Sequence, residues 1–175
     1  MRIKQVGEEV YYPDEAIVKL RHHDIAALQE QAKKNMRQRT RLCAHQNIDD
    51  KLHEMFIVHA RGAYIRPHKH LGKSEAFHLI EGTVDVVIFD ELGDIVEVIR
   101  MGEFASGHYF YFRISHSHYH TLLIRSEVLV FHEITSGPFR KSDTIFAPWS
   151  PDESDLAAVT AFMQRLQLTV EKFRK

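Results

Sequence analysis

Between residues 62 and 82 the chain reads GAYIRPHKHLGKSEAFHLIEG, with two histidines one residue apart, a glutamate five residues after the second, and a glycine at each end. Alternate side chains of a β-strand share a face, so His68 and His70 are expected to point the same way. Leu71-Gly72-Lys73-Ser74 can turn the chain and bring Glu75 up beside them. Two imidazoles and one carboxylate then converge on one point. Such a set suits one divalent ion, Fe(II), Mn(II), Ni(II) or Zn(II), and leaves coordination positions open for substrate or oxygen. The ligand types do not choose among these metals. His78 follows Glu75 by three residues, a spacing that shares a face on a helix but not on a strand, so it is excluded from the site.

The stretch also fits the first cupin motif, which is Gly, five residues, His-x-His, four residues, Glu, six residues, Gly, with Gly62, His68, His70, Glu75 and Gly82 in register. The wider text RLCAHQN, LHEMFIV, EITSGPF and APWSP, from about Arg37 to Pro151, resembles the WbuC-type cupin metalloproteins. That family is often associated with O-antigen and other surface-polysaccharide gene clusters. The resemblance implies a double-stranded β-helix, or jelly-roll barrel, with a divalent metal in its mouth, a small-molecule ligand and a homodimeric assembly. It implies the fold and the metal more firmly than any substrate. The second cupin motif normally reads Pro-x-Gly-x-x-His, whereas this chain has Ser115-His116-Ser117-His118-Tyr119-His120. His120 keeps the motif's histidine position and is carried over as the fourth ligand. Strand parity alone puts His116, His118 and His120 on one face and does not choose among them.

The elements that must position these residues are mostly short strands. Runs rich in β-branched and aromatic residues occur near His53 to Ala60, Tyr64 to His70, Glu75 to Ile80, Thr83 to Phe89, Ile95 to Ile99, Tyr109 to Ile114, His120 to Ile124 and Val128 to Ile134. Turn residues such as Gly62, Glu81-Gly82, Asp90 to Asp94 and Gly102 separate them, which favours an all-β barrel or double sheet. Two helices flank it. Ile25, Leu28 and Ala32 form one stripe over Asp24 to about Met36, and Leu156, Val159, Met163, Leu166, Val170 and Phe173 form another. Ser150-Pro151-Asp152-Glu153 reads as a capping box with proline at the first helical position, so the second helix is expected to start there. Packing on its own barrel is favoured for that helix over pairing between two protomers. The chain then divides into an N-terminal helical extension over 1–45, a barrel over 46–140 and a C-terminal loop and helix over 141–175, all within one domain.

Bulk properties narrow the class. The 175 residues suffice for one sizeable core, and 44% hydrophobic residues with 27% charged ones describe a globular chain. A formal net charge of -1 implies no nucleic-acid partner. MRIKQVGEEVYYPDE lacks an apolar signal region and no run approaches a membrane span, so no membrane is implied and a cytoplasmic location is expected. The single cysteine, Cys43, excludes an intramolecular disulfide and is read as a small buried residue.

Further residues carry functional expectations. Tyr64 and Arg66 share the parity of His68 and His70, so both should point inward if no bulge intervenes, as catalytic candidates that place protons or charge. Glu133 is the third, as a general base or as the acid that pairs with Arg66. Arg39 and Arg41 stand two apart in an extended segment and resemble the family's Arg-x-Arg pattern ahead of its histidine, here His45. These three are expected to bind an anionic or carbohydrate ligand, since guanidinium groups grip such oxygens. A hydrogen-bonded structural role stands equally open for His45. Lys33 and Lys34 are read as a solvated helix end, and most of the 13 histidines, His59 among them, as ordinary surface or core positions. Three readings of function follow: a metal enzyme resembling a sugar isomerase, epimerase or dioxygenase, including an Fe(II)-dependent oxygenase; a non-catalytic ligand-binding cupin; or a barrel stabilised by a closed structural metal.

Overall fold

Alternation of side chains along the strands builds two facing sheets with a shared interior. A computed structural model describes residues 2–173. The first sheet runs, in spatial order, β1 (Ile3–Gln5), β2 (Val10–Pro13), β3 (Arg39–Cys43), β4 (Leu52–Ala60), β11 (Val128–Ser136), β6 (Glu75–Glu81) and β9 (Tyr111–Ile114). The second runs β12 (Thr144–Phe146), β5 (His68–His70), β10 (Tyr119–Ile124), β7 (Thr83–Phe89) and β8 (Ile95–Gly102). Sequence neighbours β5 and β6 thus lie in different sheets, so the turn at Leu71 to Ser74 crosses between them. All the pairings are antiparallel except β2 with β3. This is a jelly-roll double sheet.

Ile57, Phe77, Leu79, Leu129 and Phe131 from the first sheet meet Val86, Ile88 and Leu122 from the second, and that apolar block supports the cavity floor. Helix α1 (His22–Lys34) lays Leu28 and Ala32 over Leu42, Val58 and Val130 on the outside of the first sheet. Helix α2 (Leu156–Phe173) covers the second sheet, where Leu166 and Val170 pack on Val87, Phe89, Tyr119 and Leu123. The middle of its apolar stripe is thus used on its own barrel, while Leu156 and Phe173 at the two ends stay exposed. Burying each such side chain contributes about 1.5–3 kcal/mol. Among the described residues no helix is long and apolar enough to cross a membrane.

Several boundaries differ from the sequence expectations. The 1–45 region is more than a helical extension, because β1, β2 and β3 complete the first sheet, and the 141–175 tail contributes β12 to the second. Such short strands carry too little alternation to read locally. The helix expected at Ser150 starts only at Leu156, with the Asp155 carboxylate accepting from the Ala158 amide at 3.0 Å. Ser150 and Glu153 are drawn elsewhere: the Ser150 hydroxyl donates to the Ala147 carbonyl, and Glu153 pairs with Arg37 and Arg39. At the motif's last glycine the backbone has φ +93°, and a Cβ would collide with the Val128 carbonyl oxygen, so Gly82 is required there.

Candidate metal centre

Proline sets where the metal strand begins. Pro67 lacks an N–H, and regular pairing starts only at His68, which lies directly opposite His120 on β10. On the other side of β5, His70 is paired with Thr144 of β12. His68, His70 and His120 each offer one ring nitrogen, and these three atoms lie within 4.8 Å of one another. Each ring is held through its Nδ1. That atom faces the Arg66 carbonyl at 2.8 Å in His68, the His118 carbonyl at 3.1 Å in His120 and the Thr144 hydroxyl at 3.1 Å in His70. A carbonyl only accepts, so His68 and His120 donate from Nδ1 and keep a lone pair on Nε2, the form in which imidazole binds metal.

Glu75 enters from the facing sheet. Its Oε2 is 3.0 Å from His70 Nε2 and its Oε1 is 3.6 Å from His120 Nε2. The carboxylate is only 3% exposed, and His120 Nε2 is buried with no hydrogen-bond partner among the described residues. A buried, unpartnered, correctly protonated imidazole nitrogen beside two others and a carboxylate fits a divalent cation. In the metal-free protein, burial favours the neutral acid of Glu75, but attraction to His120 and His70 outweighs it and holds the carboxyl below its usual range. Burial followed by the neighbouring His120 charge lowers His68 to about 3. For His120 burial also lowers the pKa, yet the Glu75 charge wins and raises it.

A cavity of about 470 Å³ opens from this cluster between the sheets. Glu133 borders it, and burial together with the Glu75 charge raises its carboxyl well above the usual range, against the pull of Arg41. At the mouth, Arg39 contacts Glu9 at 2.9 Å and Glu153 at 3.7 Å, while Arg37 contacts Glu9 at 3.1 Å. Arg41 also lines the cavity.

The structure brings together His68, His70, Glu75 and His120, and it separates other candidates. His118 is exposed and supplies only its carbonyl, because β10 begins at Tyr119. His78 faces outward against Phe110. The shared inward parity of Tyr64 and Arg66 fails, since residues 63–67 are irregular. Tyr64 lies outside the cavity lining, its hydroxyl donating to the Pro151 carbonyl at 3.0 Å, and burial raises its pKa to about 12. Arg66 reaches the cavity edge, but its guanidinium sits on Asp152 at 2.7 Å and over the Phe146 ring. Its acid is therefore Asp152 and not Glu133. His45 is buried behind the lining, stacked on His53 at 3.9 Å, with Nδ1 against the Glu54 backbone. Cys43 is buried, as expected. His59, expected among the ordinary histidines, lines the cavity. Its parity with His53 along β4 was the available signal.

The family described as a domain of unknown function, DUF6016, matches residues 20–101. No curated protein matches the chain. Among solved structures, a Shewanella oneidensis protein aligns over 59% of this chain and 66% of its own at 12% identity and TM-score 0.48. A mutant of Bacillus subtilis oxalate decarboxylase aligns over 57% of this chain at 22% identity and TM-score 0.46, so that the match spans only 25% of the decarboxylase. The cupin domain of Cnp3 from Schizosaccharomyces pombe aligns over 57% of this chain and 64% of its own at 12% identity and TM-score 0.44.

Proposed function

We propose that the chain is a metal-dependent cupin of the WbuC type that binds one divalent ion through His68, His70, Glu75 and His120 and acts on a small polar metabolite in the adjoining cavity. The observation that carries this reading is the convergence of three ring nitrogens within 4.8 Å, one of them buried without a hydrogen-bond partner among the described residues, beside a buried carboxylate. When bound, such an ion polarises a carbonyl or hydroxyl, or activates water or oxygen. The chain's own residues do the rest. Glu133, at the cavity wall with its carboxyl raised above the usual range, is placed to exchange a proton with a ligand oxygen. Met55, Ile57, Leu122 and Phe131 exclude water from the cavity walls. Tyr64 and His45, both behind the lining, take no part, and Arg66 shapes the mouth through Asp152.

A role in surface-polysaccharide sugar metabolism and a homodimer are carried by the WbuC and cupin resemblance. The test is elemental analysis of protein purified from its native host, followed by metal content of His68→Ala and His78→Ala variants. Metal at one equivalent per chain, lost in the first variant and kept in the second, supports the reading. A metal-free native protein that takes up no divalent ion refutes it.

A further inference from the structure

The metal gives a ligand one anchor, and the opposite wall of the cavity carries a second. Strands β3 and β4 pair with Arg39 opposite His59 and Arg41 opposite Ile57. Alternation puts His53, Met55, Ile57 and His59 of β4 on the inward face, and both arginines line the same cavity. The two arginines differ in their company. Arg39 is already occupied by Glu9 and Glu153. Among the described residues no carboxylate lies within ion-pair distance of the Arg41 guanidinium, although its charge is felt at His59, Cys43 and Glu133.

His59 adds an unmet hydrogen-bonding group. It is 6% exposed, and its Nδ1 is buried with no hydrogen-bond partner among the described residues. A buried polar group left unpaired costs about 1–3 kcal/mol, so it is retained where something else completes it. Burial, followed by the Arg41 charge, lowers the ring to about 3 and keeps it neutral near pH 7. A neutral imidazole donates one N–H beside a guanidinium without repelling it. Met55, Ile57, Leu122 and Phe131 provide apolar contact for the body of a ligand.

We propose that Arg41 and His59 form an anion subsite, which takes the carboxylate or phosphate of a small metabolite whose other end reaches the metal ligands. The subsite rests on the metal-dependent reading for that second end, but not for its own affinity. The reading makes the natural ligand a small acid or phosphate monoester and not a neutral sugar.

The experiment is calorimetric titration of inorganic phosphate and, separately, succinate into the Zn(II)-loaded and the chelator-stripped full-length protein, as wild type, Arg41→Met and His59→Gln. Expected is binding of at least one probe by wild type in both metal states, weakened about 10-fold or more by Arg41→Met, with Zn(II) affinity unchanged. Which probe binds separates a phosphate ligand from a carboxylate one. Because His59 is buried, its contact is also read in folded wild type, as a shift of its ring 15N resonance on anion addition. Failure of both probes to bind wild type, or equal anion affinity in wild type and Arg41→Met, overturns the subsite, as does anion binding that disappears with the metal. Arg41-dependent anion binding by a chain that takes up no metal would instead sink the metal-dependent reading and leave the subsite standing.

Discussion

Two walls of one barrel carry histidine groups, and they are built for different work. On β5 and β10, His68, His70 and His120 are tethered through Nδ1 and bring their remaining nitrogens within 4.8 Å beside Glu75. On and behind β4, His45 and His53 stack face to face at 3.9 Å, and His59 stands near the Arg41 cation with no carboxylate in ion-pair distance among the described residues. Histidine count is similar on both sides. What differs is the charge placed among the rings. A buried carboxylate attracts a cation and helps to hold it, whereas a guanidinium repels a cation and recruits an anion. The first wall is thus suited to metal and the second to oxyanions.

The largest effect that can break this comparison is loss of metal. His68→Ala, His70→Ala and His120→Ala should each lower metal affinity by well over the 10-fold typical of an outer-partner loss, whereas His53→Ala and His59→Gln should leave metal content at the wild-type level. Elemental analysis decides it. Full occupancy in the first three variants would show that the converging nitrogens are not the ligands.

Acid titration separates the walls next. His59 has its folded pKa lowered to about 3, against about 6.5 when unfolded, so the unfolded chain binds the extra proton across that interval. Its contribution to stability is present above about pH 6.5 and is lost as pH falls towards 3, at about 1.4 kcal/mol per pH unit. Denaturant melts of chelator-stripped protein should therefore show a shallower acid loss in His59→Gln than in wild type. Identical slopes would mean that His59 is not held neutral by its surroundings.

A smaller change is expected at His45. Its Nδ1 serves the Glu54 backbone, so His45→Ala should cost about 1–3 kcal/mol of unfolding free energy with metal and anion affinity unchanged. A change in either affinity would return His45 to the ligand site. Thr144→Val, which removes the hydroxyl that orients His70, should weaken metal binding by about 10-fold while folding normally. The smallest effect belongs to His78→Ala, on the outer face of β6, where metal titration should match wild type.

Much of this was legible in the chain. Five motif positions, strand parity at His68 and His70, and the parity that turns His78 outward all depend on alternation within a single strand, which a sequence carries directly. The same rule failed at Tyr64 and Arg66, because it holds only where the chain is a strand, and Pro67 ends the regularity on their side of His68. The capping signature at Ser150 is a local preference that stronger tertiary partners overrode, Arg37 and Arg39 taking Glu153. By itself, then, the sequence determined a β-barrel, its two covering helices and a His-x-His strand with its glutamate as a candidate metal site. The motif register pointed to His120 over His118, and the tertiary structure brings His120 beside the other two; only the tertiary structure decided that Arg39 is paired while Arg41 stands unpaired among the described residues, and that His59 opens on the same cavity. Each of those outcomes depends on which strands become neighbours across sheets, and pairing between residues far apart in the chain leaves no mark in the local spacing of either partner.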